Sequence, residues 1–252
     1  QVEHPGVPLI AVPTTAGSGS EVTRFASITD SQTMSKVSLS HDHLYPKFAL
    51  LDPSLTLSLT RRQTAVSGMD ALSHAIEGFW SNRATSVTDS YALAAAKLML
   101  STLPSAYRSS DDIDARRLAM EGSMLAGLTI SNARTTAVHA VSYPMTVHFH
   151  IPHGLACAML LPPLIRYNAG AMNGDKEERL VGYLGLSSME QLAEAVGDLQ
   201  QQMDLPVRLR DLGLRKAHIA TIVDNGFRPD RMNNNPRQIS AEQLSSLLET
   251  IL

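Results

Sequence analysis

The period of the apolar residues changes near Leu59, and no single regular architecture accommodates both patterns. Before it, residues 8–12, 21–29, 36–40 and 48–51 read as short strands. Turn signals at Thr29-Asp30-Ser31 and Asp52-Pro53-Ser54 separate them, and residues 13–20 form a loop of small residues. Four such strands bury too little surface to stand alone. From Leu59 onward the pattern is helical. Thr60 with Gln63 reads as a capping box, and Ser67 offers a second cap before Asp70. Residues 92–100 are rich in alanine and leucine. A third helix starts at Ser110-Asp111-Asp112-Ile113 and runs to about Ile130, with Leu118, Met124, Leu125 and Leu128 as its apolar stripe. Residues 154–167 predict a fourth, interrupted at Pro162 and Pro163; residues 189–203, 218–224 and 240–252 complete the series. The expected boundary therefore divides a β-rich segment, 1–58, from a helical domain, 59–252. Because the buried-strand pattern begins within seven residues of Gln1, which is not methionine, the reading expects further chain upstream.

Charge and cysteine usage exclude several functions. The formal net charge of −3 gives no electrostatic case for nucleic acid or an anionic membrane surface. One cysteine, Cys157, cannot make an intrachain disulfide framework and fits a reducing compartment. The longest apolar run, 155–165, is cut by the proline pair and falls short of the roughly 20 residues that span a bilayer. No signal peptide precedes the first segment. A compact cytoplasmic protein is expected.

Chemistry concentrates at four residues. Asp70 and His74 are four apart, so a helix places carboxylate and imidazole on one face. Taken alone, that pair suits an aspartate near a helix start with a histidine beside it. His139 and His153 shift the balance: four of the nine histidines fall within 139–153, in an otherwise apolar region. Burying several imidazoles without partners is costly, so a shared metal explains them economically, although hydrogen bonds could satisfy such a cluster too. Three imidazoles and a carboxylate suit Fe(II) or Zn(II), with zinc the tighter binder in the divalent series.

Residues 68–77, 14–23 and 139–163, in that combination, resemble the iron-dependent (group III) alcohol dehydrogenase family, over essentially the whole chain. The resemblance implies a piece of a Rossmann-like α/β domain followed by an all-α helical metal-binding domain, the dehydroquinate synthase-like fold. It implies that Asp70, His74, His139 and His153 hold the metal. Thr14, Thr15, Gly17 and Ser18 would line NAD or NADP, with Lys36 near its ribose or nicotinamide. As residues alone, Gly17-Ser18-Gly19 lacks the third glycine of the dinucleotide fingerprint and reads as a turn. The family's glycine-rich pyrophosphate loop, which lies upstream in its members, has no counterpart here, so the resemblance implies a truncated chain that lacks part of the dinucleotide site. Tyr143 stands where many members carry a second histidine, four residues after His139. Its hydroxyl, together with His148 and His150, is a candidate proton relay. Residues 134–144 are similar to the subgroup that interconverts phosphonoacetaldehyde and hydroxyethylphosphonate, with Arg24 and Arg134 as phosphonate ligands or else ordinary salt-bridge arginines.

The function implied is hydride transfer between NAD(P)H and a small aldehyde or alcohol, by a homo-oligomer. A metal-dependent hydrolase is the alternative, because a metal can activate water in place of a carbonyl. A helical module stapled by metal, without catalysis, is a third reading.

Overall fold

The computed structural model describes residues 4, 6–30, 32 and 35–252, without the side chains of residues 29, 30, 35 and 36. Thr60 sets the direction of the central helix. Its hydroxyl accepts from Gln63 N at 3.2 Å while the Gln63 side chain accepts from Thr60 N at 3.3 Å, the reciprocal cap that the sequence predicts. Helix α1 (Arg61–Trp80) follows and is buried on nearly every side from Gly68 onward. A helix buried all round is an interior helix. Helices α2 (Ser86–Arg108) and α3 (Ile113–Ala133) pack against it and each other. Small residues set these contacts: a Cβ on Gly68 would fall 2.2 Å from Leu103, and one on Gly122 would fall 2.7 Å from Met99.

Helices α4 (Ala137–Phe149) and α5 (His153–Asn168) pack against each other, and α5 lies on α1. Around them stand α6 (Lys176–Leu184), α7 (Met189–Gln202), α8 (Lys216–Gly226), α9 (Pro229–Met232) and α10 (Ala241–Thr250). Ahead of the helices, β1 (Ile10–Ala11) pairs in parallel with β4 (Phe48–Ala49), and β2 (Phe25–Asp30) pairs antiparallel with β3 (Ser35–Ser40). The loop after β1 is clamped to the helices through glycines. Gly17 packs on Ser67 of α1, and Gly19, at φ 59°, packs on Gly127 of α3, where a Cβ would sit 2.5 Å from the Gly127 Cα.

Several expectations need correction. Residues 20–22 form a 3-10 turn, so the second strand starts at Phe25 rather than at residue 21. Ser67 is not a cap; it lies inside α1 and donates to Gln63 O at 2.7 Å. Pro162 and Pro163 do not interrupt α5, because the helix is buried on both sides of them and packing outweighs the lost backbone bonds. Helices α4 and α6 fall where no helix is predicted; α4 contains Pro144 and weak helix formers, and it is held by neighbours. On α3 the buried face is the small-residue one, including Ala119, Gly122, Ser123 and Ala126. Leu118, Met124, Leu125 and Leu128 are half-buried. The supposed buried strand at residues 8–12 is exposed at Leu9, Ile10 and Val12. Among the described residues no helix is long and apolar enough to cross a membrane.

Candidate active site

Where α1, α4 and α5 meet, Asp70, His74, His139, Tyr143 and His153 line a cavity of about 330 Å³. Helix α1 supplies Asp70 and His74 one turn apart. His139 comes from the first turn of α4, and His153 is the first residue of α5. Gly154 allows that approach, since a Cβ there would come within 2.1 Å of Val66 O.

Asp70 Oδ1 is the point of convergence. His139 Nε2 lies 3.4 Å from it and His153 Nε2 lies 3.7 Å from it. The His74 ring stacks on His139 at 4.5 Å, and the His153 ring meets His139 edge-on at 5.3 Å. The ligand atoms of Asp70, His139, His153 and Cys157 all lie within 4.8 Å of one another. Cys157 thus joins the cluster, although sequence reading gave it no role. His74 stands beside that quartet rather than within it.

Helix α4 has no cap from its own N-cap residue, Thr136. The buried carboxylate of Glu77, one further turn along α1, takes that place. It accepts from Thr136 N at 2.9 Å, Thr136 Oγ1 at 2.6 Å and Val138 N at 2.9 Å, and its other oxygen pairs with His139 Nδ1. When the ring is neutral, a carboxylate on Nδ1 favours the tautomer in which Nε2 carries a lone pair. Ser142 does the same for His153: its hydroxyl donates to His139 O at 2.9 Å and lies 3.4 Å from His153 Nδ1.

Electrostatics follow from burial opposed by neighbours. Burial alone would raise the Asp70 carboxyl, but the neighbouring imidazoles of His74, His153 and His139 outweigh it, holding it well below the usual range. Burial takes His74 down to about 4, against the pull of Asp70. Burial likewise opposes charge on His139, yet Cys157 and Glu77 raise it well above its ordinary value. Glu77 is held down by His139 and Thr136 despite its burial, which by itself would raise it.

Three buried atoms are left without hydrogen-bond partners here: Asp70 Oδ1, His74 Nδ1 and His139 Nε2. Orphaned polar atoms in an interior cost about 1–3 kcal/mol each, and the close approach of Asp70 Oδ1 and His139 Nε2, with His74 beside them, suits a divalent cation. The donor set, a carboxylate and imidazoles, fits iron or zinc.

Other candidates are placed as follows. Thr14 and Thr15 are exposed, Gly17 is buried against α1, and Ser18 is exposed at the cavity mouth. The side chain of Lys36 lies outside the described residues. His148 and His150 do not line the cavity. His150 is the left-handed C-cap of α4 at φ 55°, with its N–H bonded to Thr146 O. Arg24 pairs with Asp42 away from the cavity, whereas Arg134 lines it beside Arg231, which sequence reading missed.

Comparison with known families decides what this arrangement belongs to. The model described as "Fe-containing alcohol dehydrogenase family, C-terminal" matches residues 64–252, and that described as "Iron-containing alcohol dehydrogenase" matches residues 1–53. The chain belongs to the iron-containing alcohol dehydrogenase family. Within it, the chain is similar to sulfoacetaldehyde reductase of Bilophila wadsworthia, at 32% identity over 98% of this chain and 67% of that protein. It is 36% identical to 1-propanol dehydrogenase PduQ of Salmonella typhimurium, over 96% of this chain and 69% of the relative. The crystal structure of sulfoacetaldehyde reductase from Bifidobacterium kashiwanohense in complex with NAD+ superposes with a TM-score of 0.92 at 37% identity, covering 97% of this chain and 64% of that one. This chain thus spans about two thirds of these alcohol dehydrogenases. Its fold is that of the iron-containing alcohol dehydrogenases: an α/β segment of Rossmann-like kind, then an all-helical domain.

Proposed function

We propose that this iron-containing alcohol dehydrogenase interconverts a small aldehyde and its alcohol with a nicotinamide cofactor. Asp70, His74, His139 and His153 would hold a divalent ion. The observation that carries the proposal is the buried convergence of His139 Nε2 and His153 Nε2 on the unpartnered Asp70 Oδ1. When bound, iron or zinc supplies Lewis-acid polarisation of a carbonyl oxygen. Glu77 and Ser142 keep the two imidazoles in the tautomer that points Nε2 at the cavity. Tyr143, whose oxygen accepts from Arg231 Nη2 at 2.9 Å, sits with its ring 5.6 Å from that of His153. A bound reduced nicotinamide would supply the hydride for the carbonyl carbon. The Tyr143 hydroxyl gives its proton to the oxygen, while Arg231 stabilises the phenolate left behind.

Ser18, exposed at the cavity mouth, and the exposed Thr14 and Thr15 earlier on the same loop support a dinucleotide on that side, with residues 1–58 belonging to the nucleotide half and 59–252 to the metal half. Two relatives favour NAD over NADP: the Bifidobacterium kashiwanohense reductase, solved in complex with NAD+, and an NAD-dependent methanol dehydrogenase of Bacillus methanolicus at 31% identity. Membership of an iron-containing family favours iron over zinc. The test is metal content by elemental analysis of His139→Ala and His153→Ala, alongside nicotinamide absorbance with an aldehyde. Each variant should lose most of its bound metal and its turnover. Undiminished metal in either one removes the assignment.

A further inference from the structure

The start of α5 repeats the spacing that joins Asp70 to His74 on α1. His153 and Cys157 are four apart, so one helix face carries an imidazole and a thiol. Cys157 is fully buried. A buried cysteine that only packs among apolar side chains behaves as a small hydrophobe. This one has polar company. Its Sγ lies 4.0 Å from His153 Nε2, and the ligand atoms of Asp70, His139, His153 and Cys157 are all within 4.8 Å of one another.

Those separations resemble the spacing of donors around one ion. A tetrahedral zinc site with bonds of about 2.0–2.3 Å sets its donor atoms about 3.3–3.8 Å apart. Here Asp70 Oδ1 is 3.4 Å from His139 Nε2 and 3.7 Å from His153 Nε2, and His153 Nε2 is 4.0 Å from the sulfur. Two atoms of the quartet call for a ligand independently of the thiol. His139 Nε2, on a side chain more than nine-tenths buried, has no hydrogen-bond partner, and neither has Asp70 Oδ1. The quartet closes on Cys157, with His74 beside it.

We infer that Cys157 is a further ligand of the proposed metal, a thiolate joined to the carboxylate and imidazoles, and that it tilts this chain toward zinc. On ligation the S–H bond breaks, the sulfur lone pair goes to the ion, and the proton leaves to solvent. Thiolate donors favour zinc, whereas carboxylate and water donors suit manganese. Membership of an iron-containing family points to iron, so the sulfur opposes the preference that the family implies. The inference rests on the metal centre proposed above and deepens it, by adding a donor and naming what that donor selects.

The test loads the 252-residue chain with cobalt(II) alone, in thiol-free buffer, and reads near-ultraviolet absorbance in wild type, Cys157→Ser and Cys157→Ala. Cys157 is the single cysteine of these 252 residues, so a sulfur-to-cobalt charge-transfer band has no other thiolate to come from. Wild type should show the band. Both variants should lose it while elemental analysis still finds cobalt on the remaining donors. Competition against a metal-buffering chelator is the second readout, and the ratio of zinc to manganese affinity should fall at least about tenfold in Cys157→Ala. Neither readout requires turnover, and the wild-type spectrum decides even where a variant fails to fold. Cobalt bound by wild type without the band, or a band that survives in the variants, overturns the sulfur ligand and leaves the metal centre standing. An unchanged affinity ratio in a Cys157→Ala protein of wild-type helical circular dichroism overturns it equally. Absence of bound cobalt from wild type removes the metal centre and the sulfur ligand together.

Discussion

Glu77 couples the start of a helix to the state of a histidine. One oxygen neutralises the orphan N–H groups of α4, and the other holds His139 Nδ1. In Glu77→Gln the amide oxygen can serve the α4 backbone, but the NH2 then faces Nδ1, which must become an acceptor. The ring proton moves to Nε2, the atom turned toward Asp70 Oδ1. Metal affinity should therefore fall about 10–100-fold with the helical content intact. Competition against a metal-buffering chelator measures it, and an unchanged affinity would show that tautomer control is not what Glu77 provides. Sequence gave notice of this residue without its being read: Asp70, His74 and Glu77 follow at i, i+4 and i+7, one polar line on an apolar helix. The three imidazole ligands were legible because imidazoles are rare in apolar stretches, and Asp70 through its spacing of four from His74. Arg231 was not, because its partner Tyr143 is 88 residues away in sequence.

Between elements, the decisive contact is backbone against backbone. Gly154 brings the start of α5 onto α1, and a Cβ there meets Val66 O at 2.1 Å and Asp70 Cβ at 3.1 Å. A carbonyl within a helix cannot swing aside as a side-chain end can, so Gly154→Ala must push α5 away from α1. His153 and Asp70 then lose their register. Overpacking of this kind costs about 1–3 kcal/mol, which a denaturant midpoint reads directly, and the variant should bind metal more weakly. A midpoint within error of wild type would mean that the two helices yield there. The cap at Thr60 was readable because a cap is a local event, settled by side chains three residues apart. Helix α4 was not, since its cap comes from Glu77 on another element and its low propensity is offset only by tertiary burial. The unbroken course of α5 through two prolines has the same origin.

At the scale of the molecule, the two halves are held by different means. The helical half has a continuous apolar core running from Ala65 to Leu248. The strand half contributes little to it. Ile10 in β1 and Phe48 in β4, paired in register, are 60% and 61% exposed. Parallel strands are ordinarily covered on both faces, and nothing among the described residues covers these. Among the contacts that fasten this segment are the glycine clamp of Gly17 on Ser67 and Gly19 on Gly127, Tyr45 Oη hydrogen-bonded to Ser131 Oγ at 2.7 Å, and Arg134 donating to Ser40 Oγ at 3.1 Å. Clamp and core should therefore respond separately. In Ile10→Thr combined with Phe48→Ser, binding of an apolar-surface dye by the 252-residue chain should drop markedly, because contiguous exposed apolar surface is what such dyes report. The thermal midpoint read by helical circular dichroism should shift little, because neither side chain supports the helical core. A large fall in that midpoint would mean that the strand pair stabilises the helices through more than the glycine contacts, and undiminished dye binding would place the exposed apolar surface elsewhere on the molecule.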